Sequence, residues 1–244
     1  TIQRADLTEA DRAAIALALN GLSQLIVDFP CIDSLDVNPL LADPQGVIAL
    51  DARVEIDPAR VEEAGPNPDL AIRPYPAEWE QTFSAGGMNF LIRPIKPADI
   101  ALYPEFLDKT SPDDIRFRFL APRKRFTDDM LKRLTQLDYE RDMAFVAIRQ
   151  DTGELAGIGR LSSDPDRVSA EYALLVRTDL QGHGLGFALL RRIIDYARSE
   201  GIRRVEGIVL SENRKMLDMC RDFGFTLESH AQEAGVCHAT LDLA

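Results

Sequence analysis

The chain has 244 residues, of which 45% are hydrophobic and 28% are charged, a composition typical of a folded globular protein and not of a disordered one. Its 40 acidic and 28 basic side chains give a formal net charge of −12, which argues against a nucleic-acid partner because such proteins need a basic face. No apolar run reaches the roughly 18 residues that a membrane span needs, so no membrane partner is predicted.

The charge is unevenly distributed along the chain. Residues 1–88 carry 15 acidic and 5 basic side chains and no lysine, whereas residues 89–244, with 25 acidic and 23 basic side chains, are nearly neutral. Such asymmetry indicates two units with different origins. The sequence predicts a small first unit at residues 1–60, a proline-rich linker at residues 61–88 and a larger domain at residues 89–244.

The cysteines and the first residue indicate the cellular compartment of the protein and the origin of the chain. Its three cysteines form no C-x-x-C pair, which is typical of a reducing compartment, so we expect a cytoplasmic protein. The first residue, Thr1, is not an initiator methionine, and we therefore expect a processed chain or a piece of a longer protein. The sequence leaves the oligomeric state open.

The first unit is predicted to contain one helix and one hairpin. Residues 7–29 have apolar side chains at helical spacing after the candidate cap Thr8. Residues 34–37 and 47–54 are strand candidates on either side of a turn.

The linker and the larger domain differ in proline content and in their apolar pattern. Prolines favour an extended linker, and Trp79 and Phe83 are its candidate anchors. From residue 90 onward the apolar pattern is dense and changes between the strand period and the helix period. The predicted strands cover 90–93, 143–148, 155–161, 168–176, 205–210, 226–229 and 236–243, and the predicted helices cover 98–107, 112–119, 127–137, 184–199 and 213–222.

A glycine-rich turn is the most informative stretch. The sequence Gln181-Gly182-His183-Gly184-Leu185-Gly186 joins a buried strand to an amphipathic helix. Glycines let backbone N–H groups converge on an anion, and a helix N-terminus adds the positive end of its dipole, so the turn suits a pyrophosphate. The glycine spacing differs from the Rossmann fingerprint, and no Lys-Ser/Thr pair of a P-loop follows. A glycine-rich turn without a ligand is the alternative.

The turn resembles the Q/R-x-x-G-x-G/A motif of the GNAT N-acetyltransferase superfamily, which holds the pyrophosphate of acetyl-CoA. Residues 213–225 resemble the N-x-x-A-x-x-L-Y-x-x-x-G-F helix of the same superfamily, and the order of predicted elements from residue 90 to residue 243 is also similar. The resemblance implies an α/β GNAT acetyltransferase fold, with a mixed, mostly antiparallel central sheet flanked by helices, preceded by the small α+β unit.

The resemblance also implies a site for acetyl-CoA as cosubstrate. The strand end before the turn would pair through its backbone with the pantetheine arm, and the Val176 amide would polarise the thioester carbonyl. We expect His183 to contribute only its backbone amide. The residues assigned to cofactor binding in this way are Leu174, Leu175, Val176, Gln181, Gly182, His183, Gly184, Leu185, Gly186, Asn213 and Cys220.

Glu171, on the strand before the turn, is the candidate catalytic base. A lysine amine has a pKa near ~10.4, so at neutral pH it must lose a proton before it can attack. In the GNAT enzymes that this chain resembles, a glutamate on this strand takes that proton, often through a water. The apolar neighbours of Glu171 predict desolvation, which raises a carboxyl pKa towards a useful range. An exposed, non-catalytic glutamate is the alternative.

Cys220 departs from the superfamily motif, which has a tyrosine there as the general acid. A cysteine could protonate the leaving thiolate in its place. A buried apolar cysteine is the alternative interpretation, so no general acid is assigned. No metal site is predicted, because Cys237 and His238 are neighbours on a strand and their side chains point to opposite faces.

The first unit carries a second resemblance. Residues 35–43 and 46–53 resemble the end of an ATP-grasp domain of NDP-forming acyl-CoA synthetases, in which an acidic residue and an asparagine two positions apart hold Mg²⁺. Asp36 and Asn38 match that spacing, but the rest of such a nucleotide site is missing, so no functional ATP site is expected.

Together the two resemblances imply a bacterial Pat-type protein lysine acetyltransferase, and residues 134–147 resemble a segment of that subgroup. Its implied substrates are protein lysines, commonly those of AMP-forming acyl-CoA synthetases, where acetylation removes the lysine charge. Asp138, Glu140 and Asp142 are candidates to attract a basic partner surface. The open alternatives are a GNAT enzyme for small-molecule amines, a non-catalytic acyl-CoA sensor and an ADP-forming acyl-CoA synthetase subunit.

Overall fold

Two units make up the chain, residues 1–74 and residues 75–244. The computed structural model describes residues 9–43, 46–62, 67, 70, 73–122, 125–139, 141–229 and 235–243. Among these residues, no helix has both the length and the apolar character that crossing a membrane requires.

The first unit combines one long helix with two small antiparallel ladders. Its elements are α1 (Glu9–Asp28), β1 (Ile32–Val37), β2 (Leu40–Asp43), β3 (Gly46–Ala49) and β4 (Ala52–Ile56), with β1 paired to β4 and β2 paired to β3. This differs from the single hairpin expected from the sequence. The predicted strand at 47–54 divides near Leu50, whose N–H donates to the Pro39 carbonyl, so its two halves have different partners. The candidate cap Thr8 lies outside the described residues.

A strand and a tight turn occupy part of the segment that the sequence analysis assigned to the linker. β5 (Gln81–Ala85) and β6 (Met88–Pro94) form an antiparallel hairpin. The turn residues Gly86 and Gly87 have φ angles of +57° and +75°, the left-handed conformation that a type I′ turn requires. A Gly-Gly pair between short strands is typical of a hairpin, but the prolines before it favoured a linker in the sequence. The second unit therefore includes residues before the predicted boundary at residue 89.

The remaining elements of the second unit follow the predicted order, with ends that differ by a few residues. They are α2 (Tyr103–Asp108), α3 (Pro112–Phe119), α4 (Asp128–Thr135), β7 (Asp142–Arg149), β8 (Leu155–Ser163), β9 (Ser169–Val176), α5 (Leu185–Ser199), β10 (Arg204–Leu210), α6 (Arg214–Asp222), β11 (Thr226–Glu228) and β12 (Val236–Asp242). Short 3₁₀ turns cover Ala77–Trp79, Pro97–Leu102 and Thr178–Leu180.

These strands form one sheet of eight, in the order β11-β12-β10-β9-β8-β7-β6-β5. Neighbouring strands are antiparallel except β9 and β10, which are parallel. A mixed, mostly antiparallel sheet flanked by helices is the fold class that the sequence predicted, and the structure confirms it.

Apolar side chains cover both faces of the sheet. On β7, Phe145 points into the core beneath α5, whereas its neighbour Val146 points into the core beneath α2 and α4, as strand alternation requires. On α5, the buried residues Leu185, Leu189 and Ile193 recur every four positions and face the sheet. This packing holds β9 and the start of α5 in fixed relative positions.

Candidate active site

The parallel strands β9 and β10 separate beyond Glu171. Their pairing covers three positions and ends where the Cα atoms of Glu171 and Glu206 are partners. β9 continues to Val176, and its other edge remains paired with β8 along that length. A gap therefore opens between β9 and β10 immediately after Glu171.

The end of β9 presents its backbone to this gap. The Arg177 N–H donates to the Ala156 carbonyl of β8, so by alternation the backbone groups of Leu174 and Val176 point to the opposite edge. The Gln181 side chain lies on that edge, and its Nε2 donates to the Val176 carbonyl over 3.3 Å. An extended, amide-bearing ligand could add to this edge as a further strand.

A cleft of about 640 Å³ lies against this free edge of β9. Its lining contains most of the residues predicted to hold the cofactor, namely Leu174, Leu175, Val176, Gln181, Gly182, Gly184, Gly186 and Asn213. Three predicted residues, His183, Leu185 and Cys220, are not part of the lining. Leu185 is buried in the core, which leaves only its backbone to face a ligand.

The glycine-rich turn forms one end of the cleft. Gly182 and Gly184 have φ angles of +83° and +80°, a backbone conformation that residues other than glycine rarely adopt. Gly184 is the N-cap of α5, so the unpaired N–H groups of that 15-residue helix begin at the turn. A helix N-terminus after such a turn is suited to bind an anion.

Charged side chains in the lining do not by themselves favour an anion. Asp114, Glu212, Asp218 and Asp222 contribute four carboxylates, whereas Arg214 and Lys215 contribute two cations. The Lys215 Nζ already donates to the Gln181 Oε1 over 3.0 Å. A phosphate group in this cleft would therefore depend mainly on the backbone N–H groups of the turn as donors.

Glu171 lines a smaller depression that adjoins the cleft. This depression and the cleft share Phe117, Leu174, Asn213 and Met216. The Glu171 side chain is exposed, while Ala170 and Tyr172 on either side are buried. The expected desolvation of Glu171 is therefore wrong, because strand alternation places its side chain on the face away from α5.

The candidate acid Cys220 lies behind the cleft. Its side chain is fully buried, and its Sγ is 3.0 Å from the Tyr172 hydroxyl. Burial raises the pKa of the Cys220 thiol and, together with the neighbouring thiol, raises the pKa of Tyr172. A buried thiol with a raised pKa and no face on the cleft matches the alternative interpretation made from the sequence.

A hydrogen-bonded group ties α3 to the glycine-rich turn. The Ser111 N–H donates to the Thr178 Oγ1 over 2.8 Å, and the Thr178 hydroxyl donates to Asp114. Burial opposes ionisation of Asp114, but hydrogen bonds from Thr178, Gln181 and Ser111 lower its pKa. Asp114 and Phe117 of α3 thus line the cleft, although no sequence signal near residue 181 indicated them.

An ion-pair group holds the segment between β9 and the glycine-rich turn. Arg177 is buried, and its guanidinium donates to Asp179 over 2.7 Å and to Glu154 over 2.8 Å. Lys109 also donates to Glu154, over 2.8 Å. Because Arg177 follows the last residue of β9, these bonds fix the chain where it leaves the strand.

The other residues singled out from the sequence are not among the residues that line the cleft. Asp36 is on β1 of the first unit and Asn38 follows that strand. Asp142 is paired with Arg160 over 3.2 Å, and Glu140 lies outside the described residues. In the described part of the chain, no three His, Cys, Asp or Glu side chains are grouped so that they could hold a metal ion.

Known proteins resemble both units. The family described as "Acetyltransferase (GNAT) family" matches residues 111–225, and an ATP-grasp domain matches residues 2–56. "Acetyltransferase PA5475" of Pseudomonas aeruginosa is 36% identical over 141 residues, which are 57% of this chain and 76% of that protein. "Acetyltransferase Pat" of Mycolicibacterium smegmatis is 29% identical over 136 residues, which are 54% of this chain and 40% of that protein.

A solved structure extends the similarity. The GNAT domain of S. lividans PAT is 31% identical, with a TM-score of 0.64, and the match covers 70% of this chain and all of that domain. The family match at residues 111–225 contains the separating strands, the residues that line the cleft and the glycine-rich turn. The chain belongs to the GNAT acetyltransferase family.

Proposed function

We propose that the protein binds acetyl-CoA in this cleft and transfers the acetyl group to the ε-amine of lysine in other proteins, with AMP-forming acyl-CoA synthetases as the substrate class. The observation that carries the proposal is the similarity to two Pat proteins, at 29% and 31% identity, in a chain whose exposed Glu171 adjoins the cleft. The chain spans only 40% of the Mycolicibacterium Pat protein.

The cofactor would be held mainly by backbone groups. The free edge at Leu174 and Val176 would pair with the pantetheine arm, and the Val176 N–H would point at the thioester carbonyl. The N–H groups of the turn from Gly182 to Gly186 would bind the pyrophosphate. The proposal involves no metal ion and no ATP.

The acceptor amine would approach from the depression that contains Glu171. Its protonated form has a pKa near ~10.4, so Glu171 would remove the proton directly or through a water before the amine attacks the thioester carbonyl. The exposed position of Glu171 leaves room for a lysine side chain from another protein. The coenzyme A thiolate would leave without a side-chain acid, since Cys220 is buried behind the cleft.

A matched pair of carboxamide variants tests the base. Glu171 and Glu206 are Cα partners on adjacent strands, and both side chains are exposed. With a purified acyl-CoA synthetase and radiolabelled acetyl-CoA, Glu171→Gln should reduce kcat by at least about 100-fold, as loss of a general base does, while acetyl-CoA binding persists. Glu206→Gln should stay near the wild-type rate. Full activity of Glu171→Gln would remove Glu171 from the mechanism.

A panel of acceptors tests the substrate class. We expect mass spectrometry after incubation with a bacterial lysate and acetyl-CoA to find new acetyl-lysines, with acyl-CoA synthetases among the modified proteins. Turnover on polyamines or amino acids without any protein acetylation would favour the small-molecule alternative. Binding of acetyl-CoA without turnover on any acceptor would favour a sensor.

A further inference from the structure

The tip of the β5–β6 hairpin lies against the glycine-rich turn. A Cβ atom built on Gly86 would be 2.8 Å from the His183 Nδ1 and 3.0 Å from its Cγ, so the imidazole ring contacts the Gly86 backbone directly. The Phe83 ring lies near the same turn, because a Cβ built on Gly184 would be 4.0 Å from it. Phe83 of β5 and Gly86 at the tip of the hairpin thus both face the glycine-rich turn.

The close approach is particular to one of the two hairpin glycines. Gly86 and Gly87 both have positive φ angles, but a Cβ on Gly87 would meet nothing within 4 Å. The backbone conformation of the type I′ turn accounts for glycine at both positions. Only at Gly86 does the neighbouring ring also exclude a side chain.

The segment before the hairpin is fixed along α5. Trp79 packs edge-on against Tyr196 with ring centroids 5.2 Å apart, and Arg192 lies over the indole at 4.8 Å. The Arg192 guanidinium also donates to the Trp79 carbonyl over 2.8 Å. Trp79 and Phe83 are the anchors that the sequence analysis expected. The hairpin is therefore held on the same helix whose N-terminus the turn precedes.

We propose that the β5–β6 hairpin sets the conformation of the anion-binding turn, with His183 as the positioning residue that transmits the contact. This inference rests on the proposed function, in which the turn binds the pyrophosphate of acetyl-CoA. A turn with positive φ at Gly182 and Gly184 has many alternative conformations, and ordering it before the ligand arrives reduces the entropy lost on binding. The hairpin, residues 81–94, lies outside the family match at residues 111–225.

Calorimetry with coenzyme A and acetyl-transfer kinetics test the hairpin contact. Gly86→Ala should weaken coenzyme A binding by about tenfold, equivalent to about 1.4 kcal/mol, because its methyl group displaces the His183 ring. The KM for acetyl-CoA should rise by a similar factor with kcat nearly unchanged. Gly87→Ala imposes a similar backbone strain without the contact, so its affinity should equal that of the wild type.

A double variant separates the contact from general damage to the hairpin. Once His183→Ala has removed the ring, adding Gly86→Ala should cause no further loss of affinity. Gly86→Asn and Gly87→Asn repeat the comparison with a residue that tolerates positive φ, so the test does not depend on the alanine variants folding.

The outcomes distinguish this inference from the proposed function. Wild-type protein that fails to bind coenzyme A would overturn both. Wild-type binding with equal affinities for the Gly86 and Gly87 variants, or additive losses in the double variant, would overturn the hairpin contact and leave the cofactor site intact.

Discussion

The Tyr172 hydroxyl and the Cys220 Sγ lie 3.0 Å apart in the core behind the cleft, on a strand and a helix that are 48 residues apart in the chain. The Tyr172 ring also packs on Gly207 of β10, at the first position beyond the last paired residues of β9 and β10. These contacts place a large side chain where the two strands separate. They also give the Cys220 thiol a hydrogen-bond partner in the core, at the position where the GNAT motif has a tyrosine.

Removing the thiol should have little effect on catalysis. Cys220→Ala is expected to retain kcat within about threefold, because a general acid contributes roughly 10²–10⁴-fold and the buried thiol has no face on the cleft. The free energy of unfolding should fall by about 1 kcal/mol through the lost contacts and the unpaired Tyr172 hydroxyl. Initial rates at saturating acetyl-CoA, with urea unfolding of the same samples, provide the test. A loss of 100-fold or more would show that Cys220 is the missing acid.

The ring of Tyr172 should make Gly207 intolerant of a side chain. A Cβ on Gly207 would be 2.6 Å from the ring Cε1, so Gly207→Ala is expected to lower the free energy of unfolding by about 1–3 kcal/mol through overpacking. In a Tyr172→Leu background the same change should cost less, because the ring is absent. Urea unfolding of the four proteins in this cycle tests the contact. Equal costs in both backgrounds would contradict it.

Gly182 should be required for cofactor binding beyond its effect on stability. Gly182 and Gly201 have φ angles of +83° and +71°, and a Cβ on either would meet nothing within 4 Å. Alanine at either position should therefore lower stability by a similar amount, about 1 kcal/mol. Calorimetry should show weakened coenzyme A binding, by about tenfold or more, only for Gly182→Ala. Unchanged affinity in Gly182→Ala would contradict the pyrophosphate assignment.

Glu154 should make stability depend on pH in the acid range. Hydrogen bonds from Lys109 and Arg177 lower the pKa of Glu154 from its ordinary value of 4.5 to about 2. A carboxyl with a lower pKa in the folded state stabilises the fold above its unfolded pKa and loses that contribution as the pH falls. The free energy of unfolding should therefore decline from about pH 4.5 towards pH 2.

A carboxamide at position 154 isolates this effect. Glu154→Gln should be less stable than the wild type at neutral pH and should show a shallower decline over the same acid range. Glu78→Gln, at an exposed carboxylate outside this group, should follow the wild-type curve. Thermal unfolding at a series of pH values measures the difference. Parallel curves for Glu154→Gln and wild type would refute the assignment.

Much of the fold could be predicted from local patterns. The helix at Pro112–Phe119 and the strand ending at Val176 match the predicted bounds closely, because the apolar period along a segment reflects which of its faces is buried. The hairpin at residues 81–94 was only partly predicted, since the prolines before it are typical of a linker. Its inclusion in the sheet depends on β7, which lies about 50 residues downstream in a 244-residue chain.

The candidate site, too, could be predicted only in part from the sequence. The turn from Gln181 to Gly186 is local, so the glycine spacing predicted both its place before a helix and the lining role of Gly182 and Gly184. The exposure of Glu171 depends on which sheet face α5 covers, and its apolar neighbours gave the opposite expectation. Asp114 and Phe117 reach the cleft from another helix, without any pattern that relates them to the turn.

By itself, the sequence determined the order of most helices and strands of the second unit and the place of the glycine-rich turn, because each is encoded by spacing within about 20 residues, and the fold class followed from the resemblance of these motifs to the GNAT superfamily. Tertiary structure decided which distant residues meet: Tyr172 with Cys220, Gly86 with His183 and Asp114 with Thr178. Such contacts depend on how strands align and which faces helices cover, and neither is encoded in the local period of a single segment.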